Sequence, residues 1–284
     1  MHYADRFFAA ADGLRLHFRD YPGPADRPPL LCLPGLTRNV RDFAALAELY
    51  SPRFRVLALE FRGRGESDYD PQPARYTPLT YAADVQQFLD HLALEQAIFV
   101  GTSLGGLVTM AVATLAPQRI AATILNDVGP ELDPAGLERI GSYVGKRERF
   151  ANWGQASSAL ASKHQHAFPR YGPAEWLAMA RRNCREGGGE IRFDYDPAIA
   201  GAFASAAATA PIDLWPFFAA LAQKPLLLVR GALSELLGAE TAAKMRLAAP
   251  AMSFVEVPDV GHAPMLDEAE AARAIDAFLS SLVA

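Results

Sequence analysis

The sequence predicts an α/β protein: a mostly parallel central sheet with helices on both faces and a helical segment inserted into it. Two observations carry this. Short apolar runs alternate with longer amphipathic ones along most of the chain, as strand–helix units of a parallel sheet do. The alternation also stops between about Pro130 and Pro211 and then resumes, so the middle segment reads as an insertion above one sheet. We therefore expect a core domain from residues 1–129 and 212–284, with a helical lid over 130–211.

In order, "LRLHFRDY" (Leu14 to Tyr21) alternates like an exposed edge strand. "PPLLCLPG" is a short buried strand ending at Pro34-Gly35. "RDFAALAELY" is helical, and "FRVLALEFRGRG" is a strand running into a glycine-punctuated turn. From Thr80 to Leu94, Val85, Phe88, Leu89 and Leu92 share one helical face. "AIFVG" is a strand, "LGGLVTMAVATLAP" a helix closed by Pro117, and "IAATILNDVG" the next strand. The insertion carries helical patches, many aromatics and a triple glycine, Gly187 to Gly189, with no clear strand. Beyond it come "KPLLLVRG" (strand), "GAETAAKMRLAAP" (helix), "MSFVEVPDVGH" (strand and turn) and "AEAARAIDAFLSSLV" (helix).

Composition narrows the function classes. With 51% hydrophobic and 21% charged residues in 284, the chain builds a sizeable core rather than a disordered ensemble. A net charge of −5 argues against nucleic acid or an anionic membrane as the partner. The two cysteines, Cys32 and Cys184, lie far apart and form neither a disulfide framework nor a metal motif, which favours a reducing compartment. The N-terminus lacks a basic start followed by an apolar stretch, and no apolar run approaches the roughly 18 residues of a membrane span. Cytoplasm is the expected location.

One stretch carries chemistry. In "FVGTSLGGLVTM", Ser103 stands between Gly101 and Gly105 where a strand pattern becomes a helix pattern, which matches G-x-S-x-G. Such a bend lifts a hydroxyl clear of the sheet's carboxyl edge. The glycines are required because a Cβ would collide with the neighbouring strand or helix. The helix starting at Leu104 turns free N–H groups toward the hydroxyl, which suits a serine attacking a carbonyl.

With its ordered blocks "LPGLTRN", "EFRGRGESD", "GTSLGG", "LLLVRGALSEL" and "DVGHAP", the chain resembles the α/β-hydrolase fold family over nearly its whole length. The resemblance implies a serine hydrolase acting on a small ester or lactone, with no cofactor and no metal. It implies that His262, in "VPDVGHAP", is the general base. It places the orienting acid after the strand "PLLLVRG", where Glu235 stands with a longer reach than the family's usual aspartate. Asp127, in "LNDVG", is the alternative acid, since some members supply it from the preceding strand. It implies oxyanion donors at the Leu36 and Leu104 N–H groups, with Pro34-Gly35 where the family commonly has His-Gly.

Several features read as structural. Arg62 and Arg64 in "FRGRGESD" lack phosphate-loop spacing, and the resemblance implies a structural turn near the sheet edge there. His2, His17, His91, His164 and His166 accompany no metal motif. Arg181, Arg182 and Arg185 fall on one helix as a solvated face, though an arginine facing the pocket would hold a substrate carboxylate. Most of the insertion aromatics, Tyr143, Phe150, Trp153, Phe168, Tyr171, Trp176, Phe193, Tyr195 and Phe203, are expected to build its own core, and the rest to roof the serine. The triple glycine is either a loop or a point of lid movement. Two other activities fit such a chain: carbon–carbon bond hydrolysis of a ring-cleavage product, and non-catalytic ligand binding. Dehalogenation and epoxide opening are disfavoured, because family members with those activities carry aspartate where Ser103 stands.

Overall fold

The computed structural model describes residues 2–208 and 212–283, so Pro211, the expected end of the insertion, lies outside the described residues. Strands β1 (Ala4–Ala9), β2 (Arg15–Tyr21) and β3 (Leu30–Leu33) lead to helix α1 (Ala44–Tyr50). Then come β4 (Val56–Leu59), α2 (Pro78–His91), β5 (Ala97–Thr102), α3 (Leu104–Leu115) and β6 (Ile120–Asn126). The insertion holds α4 (Pro134–Tyr143), β7 (Arg149–Phe150), α5 (Trp153–His164), α6 (Pro173–Asn183), β8 (Cys184–Gly187), β9 (Glu190–Phe193) and α7 (Ile199–Ala208). The chain closes with α8 (Trp215–Leu221), β10 (Leu226–Gly231), α9 (Ala239–Ala248), β11 (Ser253–Val257) and α10 (Ala269–Ser281).

Eight strands form one sheet in the order β1-β2-β4-β3-β5-β6-β10-β11. β2 pairs antiparallel with both β1 and β4, and the strands from β4 to β11 pair parallel. The twofold period of a strand explains why the central strands read as continuous apolar runs. Leu31, Leu33, Phe99 and Leu228 point to the face covered by α2, α3 and α8, whereas Leu30, Cys32, Ile98 and Val229 point to the face covered by α1 and α10.

β2 differs from the edge strand that its pattern suggests. The segment Ala4–Ala9 pairs along it and takes the edge, so β2 is mostly buried. Its polar residues enter the interior with partners: His17 Nδ1 lies 2.8 Å from Glu60 Oε2, and Asp20 accepts two hydrogen bonds from Arg55.

The insertion is not wholly helical. β7, β9 and β8 form a small antiparallel sheet, too short to show a period in sequence. The triple glycine is the hairpin turn of β8 and β9, with Gly188 and Gly189 at φ +64° and +79°, a conformation that favours glycine. Arg185 accordingly lies on β8 rather than on the helix of Arg181 and Arg182. Its guanidinium faces Gly65 O and Asp194, tying the insertion to the core. Arg41 bonds the Arg182 carbonyl and Asp194 in the same seam.

"FRGRGESD" is the structural turn that the resemblance implies. Arg62, 2% exposed, bonds both carboxylate oxygens of Asp84 at 2.8 and 2.6 Å and reaches Asp70 and Asp12 at 2.7 Å. Deleting one partner of such a cluster strands buried charge, at a cost of about 3–5 kcal/mol. Arg62→Met is therefore expected to lower the unfolding free energy by about that much in urea titration. A loss below about 1 kcal/mol would show that Asp84 and Asp70 find other partners.

Candidate active site

Ser103 occupies the one-residue bend between β5 and α3, at φ +52° and ψ −115°. A non-glycine residue there is strained and persists only where packing over-determines it. The packing is visible: a Cβ on Gly101 would stand 2.7 Å from Gly105 O and 2.8 Å from Gly106 Cα. A Cβ on Gly105 would run into the Leu33 carbonyl. The Ser103 N–H donates to Asn126 O at 3.0 Å, which fastens the bend to the end of β6.

Ser103 Oγ lies 2.8 Å from His262 Nε2, and His262 Nδ1 lies 2.7 Å from Asp127 Oδ2. A carboxylate only accepts hydrogen bonds, so Nδ1 carries the proton in neutral imidazole, and Nε2 is free to accept the serine O–H. Asp127 is fully buried yet satisfied, since Oδ1 accepts from the Gly231 N–H at 2.8 Å and Oδ2 from the Ser234 hydroxyl at 2.7 Å.

The acid facing His262 is thus Asp127, and the expectation that placed Glu235 there is corrected. The loop after β10 does reach the site, but through the Gly231 amide and Ser234, both of which serve Asp127. Ser234 Oγ also accepts from the Leu237 N–H at 3.1 Å, which holds the loop tightly turned. That turn sends the next side chain outward, where Glu235 pairs with Arg139 of α4 and lies 3.3 Å from His166 Nε2.

Leu104 begins α3, so its N–H has no intrahelical partner, and Leu36 follows the Pro34-Gly35 turn. Among the described residues, neither N–H donates to a protein acceptor. The Leu36 peptide is held from its other side by Arg64, whose Nε donates to Leu36 O at 2.9 Å and whose Nη1 bonds Arg62 O and Tyr81 Oη at 2.7 Å. Arg64 is completely buried. It supplies bracing in a loop where proline replaces histidine, which its place in a glycine-rich turn does not reveal.

A cavity opens over Ser103 and His262, walled by the Gly35–Arg38 loop, by Ile140, Tyr143 and His164 of the insertion, and by Phe193 and Tyr195. Among the insertion aromatics, Phe150, Phe168, Trp176 and Tyr195 are buried, and Phe168 and Tyr195 also face this cavity. Among the described residues, no three His, Cys, Asp or Glu side chains gather as a metal site needs, and no helix is long and apolar enough to cross a membrane.

A parallel sheet with a serine, a histidine and an aspartate in line at its carboxyl edge defines a hydrolase-type fold and site. Comparison with known proteins agrees: the family model for the alpha/beta hydrolase fold matches residues 28–269, and the chain belongs to that family. It is 36% identical over 273 residues to a 3-hydroxybutyrate-oligomer hydrolase of Cupriavidus necator, covering 93% of this chain and 92% of that protein. It is 28% identical to a 2-(acetamidomethylene)succinate hydrolase of Mesorhizobium japonicum, over 83% of this chain and 81% of that one. The crystal structure of an alpha/beta hydrolase from Novosphingobium aromaticivorans superposes with a TM-score of 0.94 at 48% identity, covering 98% of each chain.

The two acidic candidates separate cleanly by mutation. Asp127→Asn leaves the shape but favours the wrong imidazole tautomer, so kcat on an activated ester is expected to fall roughly 10⁴-fold. Glu235→Gln, with its partners on the surface, is expected to stay within about threefold of wild type. The reverse ordering in steady-state kinetics would return the role to Glu235.

Proposed function

We propose that the chain is a serine hydrolase that cleaves a carboxylic ester or lactone of a small substrate through an acyl-enzyme. The observation that carries this reading is the unbroken hydrogen-bond chain from Ser103 Oγ through His262 to Asp127, together with the Leu36 and Leu104 N–H groups, which have no acceptor among the described residues.

In this reading Ser103 Oγ attacks the substrate carbonyl while His262 Nε2 takes its proton. Asp127 keeps the second imidazole proton on Nδ1 and stabilises the imidazolium that forms. The carbonyl oxygen becomes negative and enters between the Leu36 and Leu104 N–H groups, where each donor of this kind is worth about 3 kcal/mol of barrier. His262 then returns the proton to the departing alcohol. Water, deprotonated by the same imidazole, attacks the acyl-enzyme and releases the acid. The His262–Asp127 contact thus serves both halves of the reaction.

Residues 130–211 act here as a lid over the core formed by 1–129 and 212–284. They roof the serine and limit the water that weakens electrostatic contacts. The relatives lend support on substrate chemistry: hydroxybutyrate and succinate, the acids in their names, both carry a carboxylate.

A fluorophosphonate probe is expected to label the wild type and spare Ser103→Ala. The same substitution should lower hydrolysis of p-nitrophenyl butyrate by roughly 10⁴–10⁶-fold. Equal labelling of both proteins, or turnover that survives in Ser103→Ala, would remove Ser103 as the nucleophile.

A further inference from the structure

Three side chains on the cavity wall hold hydrogen-bond donors with no acceptor among the described residues. Arg38 follows the Leu36 turn, and its stem stands close to the nucleophile. A Cβ on Gly35 would lie 3.3 Å from Arg38 Cγ and 3.8 Å from Ser103 Cβ. The guanidinium spends Nε and Nη2 on Asp42, at 2.5 and 2.7 Å, and Nη2 also lies 4.0 Å from Met265 Sδ. Among the described residues Nη1 has no acceptor, and it is not sealed in the interior. The Tyr143 hydroxyl and the His164 ring nitrogens likewise have no hydrogen-bond partner among the described residues, are not sealed in the interior, and belong to side chains that line the cavity. Their rings meet edge to face at 5.3 Å, which fixes them side by side.

Resting on the hydrolase reading above, we infer that Arg38, Tyr143 and His164 form a subsite for a free carboxylate on the substrate. The preferred substrates are then esters of carboxylate-bearing acids, such as short hydroxy-acid oligoesters. The donor count argues for an anion. Arg38 offers two N–H groups at Nη1, Tyr143 one O–H and neutral His164 one N–H. Both oxygens of the one carboxylate on this wall, Asp42, are already taken by Arg38. Ionisation states agree with this role. Burial pushes the Tyr143 phenol up to about 12, so it keeps its proton. Burial, reinforced by the Arg38 cation, pushes the His164 imidazole down to about 3, so it stays neutral. Lys163, also on this wall, is ion-paired with Glu148 and adds no net charge. Charge-assisted bonds from a guanidinium to a carboxylate are roughly twice as strong as neutral ones.

Two ester pairs test this, one with the carboxylate on each side of the scissile bond. They are mono-p-nitrophenyl succinate against its methyl-capped diester, and 3-hydroxybutyryl-3-hydroxybutyrate against its methyl ester. The expected result is a kcat/KM preference for the free acid of about tenfold or more in at least one pair. That preference should fall at least severalfold in Tyr143→Phe, which removes one hydroxyl, and collapse toward unity in Arg38→Met. Thermal unfolding of each variant identifies one that has lost its fold, and Tyr143→Phe carries the test if Arg38→Met has. Equal or better cleavage of the capped partner in both pairs overturns the subsite, as does a preference that survives in every folded variant. Turnover of the neutral esters without acid preference sinks the subsite alone. No turnover with Ser103 still labelled by fluorophosphonate counts against this substrate class, and no turnover without labelling sinks the hydrolase reading and this inference with it.

Discussion

The site depends on a left-handed backbone at Ser103, held where glycines let β5, β3 and α3 close to within contact distance. The strain of that bend does two things at once. It carries the hydroxyl out of the sheet's edge, and it starts α3 immediately afterwards, so the first N–H groups of the helix face the same point. A serine in a relaxed turn would offer the hydroxyl without the donors.

The remaining members are brought to that point by loops at the same carboxyl edge of the sheet. Asn126 ends β6 and donates from its side chain to Thr102 Oγ1 and Pro264 O, linking the serine bend to the histidine loop. Asp127 follows at once, with its N–H bonded to Val229 O and its carboxylate to the Gly231 amide. Buried polar groups in such a network are costly unless every one is satisfied. Here the paired carboxylate of Asp127 also orients His262, so a group that stabilises the loops is also one proposed to do chemistry.

Above this edge, the cavity wall is rich in hydrogen-bond donors on one side, where Tyr143 and His164 stand near Arg38 of the core, and aromatic elsewhere. The ion pairs that hold the insertion, Arg41 with Asp194 and Arg139 with Glu235, link core and insertion on either side of the cavity. A wall of this kind selects by leaving mismatched polar groups unpaired, a stronger discrimination than apolar fit alone provides.

Much of this was legible in order along the chain. Strand–helix alternation, the G-x-S-x-G bend and the placement of His262 in a turn after an apolar strand are all local patterns, because they reflect the period of a strand, the period of a helix and the glycines a tight bend needs. The two-strand hairpin around Gly188 was not legible, since its strands CREG and EIRF are too short for a readable period and too polar to form an apolar run. Nor was the burial of β2, which depends on a distant segment pairing along it.

What the sequence by itself determined was the fold class, the serine on its bend and the histidine downstream of it. Only the tertiary structure decided that Asp127 rather than Glu235 faces the imidazole, and that Arg64 braces the Leu36 peptide. The physical reason is that a carboxylate's partner depends on where distant loops converge: Ser234 and His262 meet Asp127 across 107 and 135 residues of chain. Local composition fixes the turn that holds Ser234 and Glu235, but it does not say which of the two neighbours looks inward.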